Sequence, residues 1–175
     1  MEYNVSHLLK SPVGTTREYE LEPDELALDD EMTARIRDGH VRFDRTNIGV
    51  LARGHVDAAV TVNCARCLDP LDEPVDVAFT EEFEPTIDVA TGRPLPTPEN
   101  ELVFPIDEHH ILDLGEAIRQ NMLAALPIAP LCRDDCAGLC PVCGANHNTD
   151  PCDCVADDTN RPFAALADLL QQKSG

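Results

Sequence analysis

Positive charge is scarce in this 175-residue chain: 13 Lys and Arg stand against 33 Asp and Glu, a formal net charge of −20. That balance excludes the usual polybasic nucleic-acid binder, whose affinity comes from neutralising many phosphates. Aromatic residues are few, with 5 Phe, 2 Tyr and no Trp, which leaves little surface for stacking bases. No run approaches the length of apolar chain that a membrane-spanning helix needs. The opening residues Met1, Glu2, Tyr3, Asn4 and Val5 lack the basic and apolar regions of a signal peptide, so a cytoplasmic protein is expected. No Ser-His-Asp order, phosphate-binding glycine loop or His-Glu-x-x-His motif occurs. Neither an enzyme nor a small-molecule substrate is expected.

What is present suffices for a core: 43% of the residues are apolar. From Val50 to Val62 the alternation is nearly strict, with Val50, Ala52, Val56, Ala58, Val60 and Val62 on one side of a long, half-buried strand. Val41 and Phe43 alternate upstream across a Thr46–Gly49 turn, and Val75, Val77 and Phe79 alternate downstream. Leu102, Phe104 and Ile106 read as a last strand that Pro105 places at an edge. Residues 85–100, with four prolines, read as a loop. Asp113 can cap a helix running to Leu126, with Glu116 completing a capping-box pair and Leu114, Ile118, Met122 and Ala125 as its apolar stripe. Pro162 starts a short terminal helix through Leu170. The expected fold class is α+β: an antiparallel sheet with one packed helix in residues 1–130, and a cysteine-rich zinc lobe with the terminal helix in 131–175.

Six of the eight cysteines crowd together: Cys132, Cys136, Cys140, Cys143, Cys152 and Cys154. In a reducing compartment such clustering favours metal over disulfides. In Cys140-Pro-Val-Cys143-Gly144 two thiolates reach one tetrahedral ion from a tight turn, and the glycine lets the backbone fold beneath the sulfurs. Structural Zn²⁺ is the expected cofactor, held by four of these six; spacing does not select which four, and the count permits one site with spares or two four-cysteine sites that include Cys64 and Cys67. Cys136-x3-Cys140-x2-Cys143 also has the spacing of radical iron–sulfur enzymes, but Val142 replaces the usual aromatic and no α/β barrel can follow in the 32 remaining residues. Cys64 and Cys67, at the end of the long strand, read either as packed thiols or as a zinc half-site completed elsewhere. The thiols outnumber His147 as a ligand, and the pair His109-His110 reads as surface.

Cys64-Ala-Arg-Cys67-Leu68 after a long strand, Ala125-Leu-Pro-Ile-Ala-Pro-Leu-Cys132 closing the helix, and Cys136-Ala-Gly-Leu-Cys140-Pro-Val-Cys143-Gly-Ala-Asn with Cys152-Asp-Cys154 together resemble the YceD-like family. These are the large ribosomal RNA subunit accumulation proteins of bacteria and plastids. The resemblance covers most of Val41 to Leu170. It implies a non-enzymatic role in accumulating 23S rRNA and assembling the large ribosomal subunit, with zinc supporting the fold. It supplies no catalytic residues.

Two partners fit the charge pattern. Between Arg35 and Arg66 six arginines face three aspartates, whereas Asp69 to Ile118 holds 14 acidic residues and one arginine. Arg42, Arg45, Arg53 and Arg66 are therefore the expected contacts for precursor rRNA or a large-subunit intermediate. The acidic stretch, with Glu81, Glu82 and Glu84, would instead suit a basic ribosomal protein.

Overall fold

The computed structural model describes residues 1–30, 32–96 and 103–155. Its framework is three long antiparallel strands: β4 (Thr33–Arg45), β5 (Val50–Asn63) and β6 (Pro70–Pro85). Along β5 the alternation read from the sequence is the burial pattern, with Val50, Ala52, Val56, Ala58 and Val60 all in the core. The β4–β5 turn is closed by Thr46, whose N–H donates to the Gly49 carbonyl at 3.0 Å while its hydroxyl accepts from Gly49 N–H at 2.9 Å.

A bulge between Ile36 and Asp38 inserts one extra residue into β4. The buried set therefore switches from Ala34 and Ile36 to Gly39, Val41 and Phe43 without changing face. Gly54 sits opposite Phe79 in the ladder. A Cβ there would stand 2.5 Å from the Phe79 Cζ, so the ring occupies the place of the missing side chain.

Short elements complete the sheet: β1 (Glu2–Asn4), β2 (Thr16–Glu20), β3 (Asp24–Ala27), β7 (Phe104–Ile106) and β8 (Ile111–Asp113). A one-turn helix, α1 (Ser6–Leu9), follows β1. The strand order is β1-β8-β7-β6-β5-β4-β2, with β3 beside β2 on the same edge of β4. The path curls into a half-barrel whose ends meet. Tyr3 of β1 lies 5.1 Å from both Tyr19 of β2 and Phe43 of β4, centroid to centroid.

The long helix α2 (Leu114–Ala125) presents Leu114, Ala117, Ile118 and Met122 to the concave side. Asp113 caps it, accepting from Gly115 N–H at 2.9 Å. Pro127 ends it, as expected of a residue without an N–H.

Several expectations are corrected. The α+β class does not hold: strands account for 44% of the structure and helices for 11%. Residues before Val41, which carry no clean alternation, add three strands, and β6 runs well beyond Val75–Phe79. The core is buried chiefly by the sheet curling on itself rather than by a helical layer. Among the described residues, the cysteine cluster is present but does not form a clear zinc lobe. The cysteine-rich segment has turns and one bridge, Leu139 to Asn146, and packs back onto the β5–β6 turn.

The sheet is also not wholly antiparallel, because β6 and β7 pair in parallel. β7 lies inside the strand order rather than at an edge. Pro105 is tolerated there because the β7–β8 ladder has a single pairing, Ile106 with Leu112. Glu116 forms no capping box; it binds Arg119 and Gln120 instead. The 85–100 loop begins with ordered turns, including an Ile87–Pro94 bridge. Leu102 and the expected terminal helix from Pro162 to Leu170 lie outside the described residues.

Candidate functional site

The β5–β6 connection is a tight turn that carries Cys64 and Cys67, and the segment after α2 returns to it. Ala65 N–H donates to the Pro130 carbonyl at 2.8 Å, and Leu139 N–H donates to the Arg66 carbonyl at 3.1 Å. Arg66 reaches across with its guanidinium to the carbonyls of Cys136 at 3.0 Å and Asp134 at 3.3 Å. These bonds bring Cys132 and Cys136 to Cys64 and Cys67.

The eight thiols fall into two groups of four. One is Cys64, Cys67, Cys132 and Cys136; the other is Cys140, Cys143, Cys152 and Cys154; within each, the sulfurs lie within 4.8 Å of one another. Four sulfurs about 2.3 Å from a tetrahedral ion would lie about 3.8 Å apart. The observed separations match that edge: 3.8 Å for Cys64–Cys136, 3.6 Å for Cys67–Cys132 and 3.5 Å for Cys143–Cys152. A disulfide would require about 2.05 Å. Either group could hold a metal ion. His147 belongs to neither; its N–H donates to the Gly138 carbonyl at 2.9 Å.

Both groups are built on the same turn. In residues 64–68, Leu68 N–H donates to the Cys64 carbonyl at 2.9 Å, and Arg66 N–H points to the Cys64 sulfur at 3.5 Å. In residues 140–144, Gly144 N–H donates to the Cys140 carbonyl at 2.9 Å, and Val142 N–H points to the Cys140 sulfur at 3.4 Å. Each turn ends in the left-handed region, with φ 62° at Leu68 and 76° at Gly144.

Backbone donors favour the thiolate at the first sulfur of each turn. Backbone N–H groups of Cys132 and Cys67 hold the Cys64 thiol down at about 6. Those of Cys143 and Val142 do the same for Cys140, again at about 6. The Asn148 side-chain amide, 3.4 Å from the Cys136 sulfur, lowers that thiol. Cys67, Cys132, Cys152 and Cys154 move the other way. The Asp69 amide favours a Cys67 thiolate, but burial and the adjoining thiols outweigh it and push Cys67 up to about 12. Cys143 and Cys152 push Cys154 up to about 12. Four neighbouring thiols cannot all ionise beside one another unless a cation offsets the charge.

The arginines read as RNA contacts divide into two pairs. Arg45 is internal wiring: its guanidinium donates to the carbonyls of Leu9, Thr46 and Gly49. Arg66 holds the cysteine-rich segment, as described. Arg42 and Arg53 stand directly opposite each other on the convex face of β4 and β5. They share Asp44, which binds Arg42 at 2.8 Å and Arg53 at 2.6 Å. Burial works to raise the Asp44 carboxyl, yet the two arginines hold it below the usual carboxylate range.

Sequence reading missed Asp44 as their shared counterion, because only strand register places it there. Ion pairs also tie Arg35 to Asp72 and Arg37 to Asp57 along this face.

The acidic candidates are half-buried rather than fully exposed, and Glu81 accepts from the Asn121 amide of α2 at 2.7 Å. His109 is exposed, but His110 is half-buried with φ 60°, and its Nδ1 has no hydrogen-bond partner among the described residues. Among the described residues, no helix is long and apolar enough to cross a membrane.

An uncharacterized protein of Mycobacterium tuberculosis is 40% identical over 111 residues, which cover 63% of this chain and 51% of that protein. An uncharacterized protein of Mycobacterium leprae is 30% identical over 111 residues, 63% of this chain and 49% of the other. The chloroplastic large ribosomal RNA subunit accumulation protein YCED homolog 1 of Arabidopsis thaliana is 28% identical over 147 residues, 70% of this chain and 46% of the plant protein. The chain thus spans about half the length of these curated relatives. No solved structure matches it. The model of the large ribosomal RNA subunit accumulation proteins matches residues 52–170, from the long strand β5 through both cysteine groups. The chain belongs to the YceD family.

Proposed function

We propose that the protein is a non-enzymatic, cytoplasmic ribosome-biogenesis factor that binds precursor rRNA of the large subunit and supports 23S rRNA accumulation. The family match over residues 52–170 carries this reading. The convex face supplies a contact of fitting chemistry: Arg42 and Arg53, opposed across β4 and β5, can each donate to a phosphate from the side not engaged by Asp44. Zn²⁺ fits the thiolate groups because it is redox-silent and accepts four sulfurs in tetrahedral geometry. It would brace the β5–β6 turn at the far end of β5 from Arg53.

A second reading is favoured by the net charge of −20 and by the direct pairing of Asp57 with Asp76 on the same face. In it the chain shields a basic ribosomal protein until rRNA receives that protein. Affinity capture of the tagged chain from cells, with and without nuclease, separates the two. Large-subunit precursor RNA that co-purifies and is lost with nuclease supports the first reading. A basic ribosomal protein retained after nuclease supports the second, and capture of neither would overturn both.

A further inference from the structure

Two groups with the same turn at their base differ in burial: three of four cysteines are buried in the first and one of four in the second. Cys64, Cys67 and Cys136 are buried, at 0%, 3% and 4% exposure, and pack with Leu71, Leu131 and Leu139. The sulfurs that meet come from positions 65 and 72 residues apart. An ion there would close a loop containing β6, β7, β8 and α2, and would pin the cysteine-rich segment to the sheet. The second group is local, drawn from residues 140–154, and Cys143 and Cys154 are exposed.

We propose that the chain binds two Zn²⁺ ions at separate and unequal sites: a buried one on Cys64, Cys67, Cys132 and Cys136 that staples sheet to segment, and an open, exchangeable one on Cys140, Cys143, Cys152 and Cys154. Cys64 and Cys67 are therefore ligands and not spare thiols. The inequality follows from access. A chelator must reach the ion and displace sulfurs one at a time. At the open site two of the four ligands already face water. At the buried site only Cys132 is exposed, and displacing the other three sulfurs requires breaking the Arg66 bonds to Asp134 and Cys136 and the backbone bonds to Pro130 and Leu139. Losing the open ion frees only a short stretch of chain, whereas losing the buried one releases a long loop.

This inference rests on the metal reading above but not on the RNA reading. It is tested on the full chain without RNA, so its failure leaves the rRNA assignment standing. Native mass spectrometry of the protein purified under reducing conditions should find two zinc ions per chain. Cys143→Ser with Cys154→Ser should leave one ion, and so should Cys64→Ser with Cys67→Ser. Because Cys64 and Cys67 also fill the core, Cys132→Ser at an exposed position is the second variant for the buried site, and it too should lower the count to one.

With a colorimetric zinc chelator the parent should lose its ions in two phases, the faster by about tenfold or more. The fast phase should be absent from the Cys143/Cys154 variant. A single ion in the parent, iron in place of zinc, two ions retained by either double variant, or release in one phase would overturn the proposal.

Discussion

The Arg66 guanidinium donates to the Cys136 carbonyl across 3.0 Å, joining residues 70 positions apart. A residue of the first Cys-x-x-Cys turn thus holds the backbone of a cysteine that the same turn must meet. Arg66→Ala should lower the urea midpoint of the zinc-loaded protein, at a cost of about 1 kcal/mol for hydrogen bonds that are partly exposed. Arg66→Lys should recover little, since one ammonium cannot copy the fork that reaches both Asp134 and Cys136. An unchanged midpoint in Arg66→Ala would show that the two bonds are incidental.

The two cysteine turns should answer glycine and alanine with opposite signs. Leu68 holds φ 62° with its side chain largely in solvent. Leu68→Gly relieves a left-handed strain of about 1–2 kcal/mol and gives back about 0.5–1 through added chain freedom. A small net gain in denaturant midpoint is expected. Gly144→Ala, at φ 76°, should cost about 1 kcal/mol instead. Shifts of the same sign in both variants would contradict the shared turn geometry.

Asp44 sets how much positive charge the convex face offers. Asp44→Asn leaves Arg42 and Arg53 without their shared carboxylate. If that face meets precursor rRNA, this variant should bind RNA more tightly and with a steeper salt dependence. Arg42→Glu with Arg53→Glu should bind more weakly, with a slope reduced by about 2. Filter binding across a salt series reads both, and RNA affinity indifferent to either change would remove the face from the interaction.

Acid should act on α2 through Glu116. Hydrogen bonds from Arg119 and Gln120 hold its carboxyl at about 2, below the ordinary 4.5. A folded-state value below the unfolded one means the stabilisation is complete above about 4.5 and disappears as pH falls through about 2. Glu116→Gln should therefore flatten the stability profile in that window and lower stability slightly at neutral pH. Parallel profiles for variant and parent between pH 2 and pH 4.5 would refute the assignment.

How far the sequence could be read depended on whether a feature is local. The alternation of β5 and the Asp113 cap of α2 are set by neighbours in the chain, and both stand in the structure. The strands before Val41 escaped notice because β2 and β3 lie on the rim, where none of their residues is buried and no apolar alternation is required. Cysteine spacing exposed the two turns but could not pair Cys64 and Cys67 with Cys132 and Cys136, since that grouping depends on where α2 returns the chain. The same limit applies to the arginines: nothing local distinguishes Arg45, bound to three carbonyls, from Arg42 on the open face.

The ring contact that joins the two ends of the strand path has a consequence for self-association. A sheet ending on free strands offers unpaired N–H and C=O groups as a template on which other chains can add. Here β1 and β2, at the ends of the path, face each other behind Tyr3, Tyr19 and Phe43. An incoming strand would have to part those rings before it could pair. The curl therefore shields the β1 and β2 ends of the path from edge-to-edge pairing without the full backbone ladder of a closed barrel.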